Sequence, residues 1–521
     1  MMNKIQKKWI LLAGVFLAAG LCAAYGWYMI FAREHPQPGA FSVQVVLTLV
    51  IGSLLLLVTG YLLIFHRWSI GKIYPLTALL LGVLYMMALP VYSKPDEMAH
   101  FDTAYELSNA WLGQEELPWE ELFAKRIGDT VYQDTTLLVE TYDTYWDTFS
   151  GNSDETLTAV ENHSTGTVLA AVVPAVGITA ARLLHLNFGG AAMLGTLCQI
   201  IFFVLAVTYA FRKLPFGERI LFVVALLPMT MQQAASFSYD CELIAAAIVV
   251  TALALHWKYG SETVKKTEIL VYAIATLLLL TTKSAVYVFV AFLPLFFLFH
   301  RTLLQQRRVR RVCAEIVVFV AAAAVIFLLL GGWQKIYHVM VTWHIVPWSG
   351  DLAMSPAMLF SEPQLLPIRI VRTIAENGVY YVLTTVGGLL GNIDIVISNK
   401  VVFPILLLAL LSIFQTQQER ERIGVIGKRE RVCSMLLAVI PDLLSVAAML
   451  IFWTPWYMEV IQGVQGRYFL PTLPLLMIGV GFWKRPVIKV DTDVWNRCFA
   501  IAMTALSYLT VICIYIAVAK R

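Results

Sequence analysis

Apolar runs of about 20 residues alternate with short polar links along most of the chain, the length at which a helix crosses a bilayer. The first, Trp9 to Ala32, is too long for the apolar part of a secretory signal, and no small-residue cleavage motif follows it. It therefore reads as an anchor, and runs at 43–66 and 74–92 continue the series. Ile269 to His300 would make a helix of about 48 Å, too long for one crossing. A hairpin turning at Lys283 is expected instead.

Orientation follows from the basic residues. Lys4, Lys7 and Lys8 precede the first run and place the N-terminus in the cytoplasm, so residues 93–165 fall outside after three crossings. That segment carries sixteen acidic residues against Lys94, Lys125 and Arg126, a net charge of −13. If Thr167–Leu186 crossed, Arg212, Lys213, Arg219 and the basic clusters after them would lie outside. This run is therefore expected to be re-entrant or surface-lying. The total is about 13 spans, with a second outer segment at 332–398 and Lys520-Arg521 as the one misplaced basic pair.

Composition agrees: 59% of the 521 residues are hydrophobic and 14% charged, against about 25% charged in soluble domains. The chain is expected to be an all-α polytopic membrane protein. Its parts are an N-terminal helix pair (1–70), a core (71–485) and a last helix (486–521). The net charge of +4 gives no support to a nucleic-acid role, because basic residues here set orientation. The seven cysteines include no C-x-x-C pair and read as packing residues. No internal repeat or P-loop is present.

Charges beside apolar runs are costly, which makes them functional candidates. Asp96 and Glu97 follow the third run, Asp240 and Glu242 lie between two runs, Lys283 sits at the expected hairpin, and Arg467 opens another run. All fall on the outer side. Each also has a plain structural reading. Ser93-Lys-Pro-Asp96 fits a capping box, Asp240 suits a helix cap, and Lys283 and Arg467 suit snorkelling to the interface. His100 lies one turn beyond Asp96, as a metal ligand would, without a second His/carboxylate pair to support it. Arg369 and Arg372 share one face of an amphipathic run and would grip a phosphate or anchor the helix to head groups. Trp333, Trp343, Trp348, Trp453, Trp456 and Tyr457 suit an interface belt or sugar stacking.

An enzyme working on that face would need a donor that arrives activated and membrane-bound. A polyprenyl-phosphate sugar meets the need. A carboxylate, Asp96 or Glu97, would take the acceptor's proton, and Lys283 with Arg467 would stabilise the leaving phosphate.

Lys94-Pro-Asp-Glu-Met-Ala-His-Phe101, Ser238-Tyr-Asp240, Thr282-Lys283-Ser-Ala-Val-Tyr287, Leu389-Leu-Gly-Asn-Ile-Asp394 and Gln465-Gly-Arg-Tyr468 resemble, in order, the pattern of bacterial membrane proteins of domain of unknown function family 2142 (DUF2142). The resemblance covers about residues 70–485. That family is similar to the GT-C class of membrane glycosyltransferases. It implies a GT-C-like fold in the bacterial plasma membrane, Asp96 and Glu97 as catalytic acids, and a site lined by Asp240, Lys283, Asp394 and Arg467; His100, Tyr239 and Tyr468 are expected to line the site beside them. It leaves a divalent metal open as a cofactor. Met98 stands where the pattern has Pro, and Asn392 where it has Trp. The expected function is sugar transfer from a polyprenyl-phosphate carrier to a surface glycan, lipid-linked glycan or protein. The alternatives are a transporter or flippase of lipid-linked glycans and a non-catalytic subunit of an envelope assembly complex.

Overall fold

The computed structural model describes residues 4–114, 122–130, 136–149, 155–161, 163, 167–260, 263–294, 362–423, 426–481 and 487–521. Trp333, Trp343, Trp348 and the first part of the expected 332–398 segment lie outside the described residues.

Among the described residues seven helices are long and apolar enough to cross a membrane. They are α1 (Lys4–Trp27, prolonged by a π turn to Glu34), α2 (Ala40–Ile64), α3 (Ile70–Ala88), α7 (Phe188–Lys213), α10 (Asp240–Tyr259), α15 (Lys428–Phe452) and α17 (Thr492–Ala519). Among the described residues some of the other expected crossings consist of shorter pieces, while the run before residue 332 lies outside the described residues. The first of these crossings is broken: α8 (Glu218–Ala225) and α9 (Pro228–Ala234) are separated at Leu226-Leu227. Pro228 at the start of α9 supplies no N–H to the preceding turn, and the Thr230 hydroxyl donates to Val224 O at 2.8 Å.

α11 (Lys266–Thr281) runs into Thr282, which is extended, and then a 3-10 segment, Lys283–Phe292, that folds back along it. The Tyr272 hydroxyl reaches Ala291 O at 2.5 Å, so the chain does reverse at Lys283 as its length requires.

The acidic segment contains α4 (Glu97–Trp111), α5 (Val139–Asp147) and the antiparallel strands β1 (Leu122–Arg126) and β2 (Leu157–Glu161). Its polar core is fully bonded: Arg126 grips Asp129 at 2.7 and 3.1 Å, and the Tyr105 hydroxyl donates to the same carboxylate. α6 (Val168–Leu183) lies on α4, with Arg182 donating to Ser108 and Asn109. Both ends of α6 are held to the acidic segment. Leu186 O accepts from Arg126, and His163, just before the helix, sits 3.4 Å from Asp102. Val168, Val172 and Val176 form an exposed apolar stripe on its other side.

After residue 361 come α12 (Leu365–Thr385), the hairpin β3 (Leu389–Leu390) and β4 (Ile395–Val396), and α13 (Asn399–Ser412). Then follow β5 (Gln415–Thr416), α14 (Gln417–Ile423), α15, a 3-10 turn at Gly466–Phe469, α16 (Leu473–Gly481) and β6 (Val487–Ile488), which pairs in parallel with β5. Gln232 of α9 bonds both backbone groups of Gly391, pinning the hairpin to the broken crossing. Gly387 (φ +98°) is required there, since a Cβ would meet Pro228 at 2.5 Å. α17 closes back onto α2: Tyr508 donates to Leu49 O, and its ring occupies the space a side chain at Gly52 would need.

The molecule thus has two polar ends. The acidic segment, the hairpin and the C-terminus share one, since Arg521 reaches both Leu137 O and Asp394. Arg521, one member of the misplaced basic pair, thus serves a specific carboxylate. The opposite end carries Lys213–Glu268, Arg219–Glu419 and Lys258–Glu430 ion pairs, which tie together helices far apart in sequence.

Candidate functional site

α3 ends at Ala88, just before Pro90, and the eight residues from Leu89 to Asp96 fold into a tight turn. Lys94 Nζ donates to the freed carbonyls of Leu89 (2.9 Å) and Pro90 (3.3 Å) and pairs with Glu97 at 3.1 Å. Glu97 also accepts from Tyr92 N at 2.7 Å and from Phe237 N at 3.2 Å. Both its oxygens are therefore engaged, in a place where the side chain is fully buried. Burial pushes this carboxyl up, against the pull of Lys94 and the two N–H groups. Glu97 staples the α3–α4 turn to the link between α9 and α10.

Asp96 is built for the opposite condition. It adopts a left-handed backbone (φ +61°), which aspartate tolerates better than most residues. This turns its side chain away from the N–H groups of α4. The capping reading is corrected here: Asp96 makes no side-chain cap bond, and the Ser93 hydroxyl donates backwards to Pro90 O at 2.6 Å. Helix α4 begins at Glu97 with Met98 in its first turn, so the substitution at 98 costs it nothing visible.

The Asp96 carboxylate instead meets Arg467, with Nη2 to Oδ2 at 2.6 Å. Arg467 is buried in the Gly466–Phe469 turn, and its Nε stands 3.3 Å from Asp240 Oδ2. Gly466 is needed to bring the turn this close, because a Cβ would lie 2.3 Å from Thr385 N of α12. The other oxygen of Asp240 is 2.6 Å from Lys283 Nζ. Asp240 opens α10 without capping it and serves both cations. Lys283 in turn stands over the Tyr468 ring, 3.8 Å from its centre, and near Tyr239.

The result is a ladder of alternating charge, Asp96–Arg467–Asp240–Lys283, from four parts of the chain. Three members are buried or largely so; the Asp96 side chain is 62% exposed. Burial would raise the Asp96 carboxyl, but Arg467, His100 and Lys283 more than offset this and hold it below the usual carboxylate range. Burial pushes His100 down to about 4 despite Asp96 and Asp240, so it is neutral at pH 7. Its ring packs edge-on against Tyr239 at 4.6 Å. Among the described residues no group of three His, Cys, Asp or Glu side chains could hold a metal ion.

A family model described as a predicted membrane protein, DUF2142, matches residues 79–476. The chain belongs to this family. No curated protein and no solved structure matches the DUF2142 chain.

Other expected site residues of this DUF2142 protein stand elsewhere. Arg369 donates to Trp456 O at 2.7 Å, and Arg372 pairs with Glu376 and Glu459. They lie roughly 18 Å or more along α12 from Thr384, the part of that helix that backs the ladder. Asp394 is the hairpin's partner for Arg521, at 2.6 Å, and Asn392 beside it is exposed. Glu242 is buried one step along α10 and takes no part in the ladder.

The sequence reading overlooked Asp442. Its Oδ1 accepts from Thr472 at 2.7 Å, while Tyr287 donates to Tyr468 O at 2.6 Å and accepts from Ser445. These bonds brace the turn that carries Arg467 and Tyr468. An acid following Pro441 inside an apolar run was the available signal.

Proposed function

We propose that this DUF2142 protein is a membrane glycosyltransferase of the bacterial plasma membrane. It moves a sugar from a polyprenyl-phosphate carrier to a glycan, lipid-linked glycan or protein on the extracytoplasmic face. The observation that carries this reading is the exposed, ionised Asp96 beside two buried cations at the polar end of the spans. Lys4, Lys7 and Lys8 before the first of three apolar helices favour the extracytoplasmic face for that end.

In the reaction the acceptor oxygen attacks the anomeric carbon, and the bond from that carbon to the phosphate oxygen breaks. The electron pair leaves with the phosphate, where Arg467 and Lys283 stabilise it. Asp96 takes the acceptor's proton, a contribution of about 10²–10⁴-fold for a well-placed base. Glu97, with both oxygens engaged, holds the turn.

The test uses purified protein in lipid, given radiolabelled polyprenyl-phosphate sugars and acceptor extract. Wild type transfers label and Asp96→Asn, still folded, does not. Label that reaches the far side of the bilayer unchanged, equally in both proteins, would replace this reading with a flippase. The broken α8–α9 crossing favours that second reading.

A further inference from the structure

The ladder contains two cations and two carboxylates, so no positive charge in it is spare. Arg467 gives Nη2 to Asp96 at 2.6 Å, has Nε at 3.3 Å from Asp240, and directs Nη1 towards Pro95 O at 3.5 Å. Lys283 is paired with Asp240 at 2.6 Å and covered by Tyr468. The ladder is neutral as it stands, so a phosphate arriving here adds unmatched negative charge unless one of the carboxylates gives way.

The two carboxylates differ in how readily they yield. Asp240 bridges both cations and its side chain is 3% exposed, so displacing it would strand a buried charge. Asp96 touches one cation and is open to solvent, which rehydrates it when it leaves. Its left-handed backbone already points it outward from α4, and no bond to that helix holds its side chain back.

We infer that Asp96 occupies the anion seat of Arg467 in the resting protein, and that the phosphate of a polyprenyl carrier displaces it. This inference rests on the glycosyl-transfer reading for the nature of the carrier. In the exchange the Arg467–Asp96 bond breaks and an Arg467–phosphate bond forms. The freed carboxylate, no longer paired with the guanidinium, becomes a stronger base and faces the incoming acceptor. The base is thus unmasked only when donor is bound, and a vacant site keeps it tied down.

The experiment measures binding of polyprenyl monophosphate to the full chain in phosphatidylcholine nanodiscs, with inorganic phosphate as a parallel probe. Wild type is compared with Asp96→Asn and Asp96→Ser. Removing the competing carboxylate should tighten polyprenyl phosphate binding about tenfold in both variants, the worth of one charge-assisted bond at a half-open site, while transfer is lost. Inorganic phosphate should show the same direction at much weaker affinity. Equal or weaker lipid binding by both variants overturns the displacement and leaves the transferase reading standing. Inorganic phosphate binding as tightly as the lipid overturns the carrier as the source of the anion. Failure of wild type and both variants to bind polyprenyl phosphate overturns the donor assignment, and the inference with it.

Discussion

Both ends of this DUF2142 protein are knit by buried ion pairs, yet they are built to different purposes. At the basic end Arg219 gives four bonds, two to Glu419 and one each to Asn496 and Phe414 O. Lys213 pairs with Glu268 and Lys258 with Glu430, acids that also lie within the packed end. At the acidic end the ladder finishes on a carboxylate that is mostly in solvent. The same residue types give a rivet in one place and a solvent-facing terminus in the other. What separates them is whether the last group in the chain of pairs has an outlet to water.

The comparison is most sharply tested by Asp96→Asn. Transfer should fall by about 10²–10⁴-fold, while the thermal midpoint in detergent stays near wild type, since the Asp96 end of the pair is open to solvent and Arg467 keeps Asp240, which holds the loss to about 1–1.5 kcal/mol. A large loss of stability would mean that Asp96 too is a rivet. Arg219→Ala should do the reverse. It leaves Glu419 without its charge partner and lowers stability by about 3–5 kcal/mol, with the turnover of the surviving folded fraction unchanged.

His100 gives a pH-dependent version of the same contrast. Its folded pKa of about 4 lies below the ordinary value of 6.5, so the unfolded chain binds this proton first as pH falls. Stability from this group is therefore level above pH 6.5 and is lost between 6.5 and 4, by up to about 3 kcal/mol. In His100→Gln that part of the slope should vanish in melting curves taken across the same range. The smallest effect is expected from Glu97→Gln, which strips Lys94 of its counter-charge and costs about 2 kcal/mol. If it lowers transfer as far as Asp96→Asn at equal folded fraction, the division of labour between the two neighbours is wrong.

Much of the site was legible because membrane burial makes charge conspicuous. Asp96, Asp240, Lys283 and Arg467 stood out as ions at the borders of apolar runs, and they do converge. The hairpin at Lys283 followed from length alone. The difference between Asp96 and Glu97 was not legible, because it depends on Phe237 N, 140 residues away, and on a left-handed turn. Asp394 entered with the family resemblance, and nothing local announces Arg521, 127 residues further on, as its partner. Arg369 and Arg372 share a helix face in the sequence, but periodicity does not say how far along the helix the site lies. The break between α8 and α9 has a local cause in Pro228, yet the apolar run reads as continuous across it.

The Asp96–Arg467 bond joins residues 371 positions apart. At about 5–20 residues per second, Arg467 is synthesised roughly 20–75 s after Asp96. Asp240 meets Lys283 early, but Asp96 waits through nearly the whole of translation for its cation. The Gly466–Phe469 turn is thus the last piece of the ladder to be made, and a chain truncated before it would enter the membrane with its acids in place and no arginine to join them.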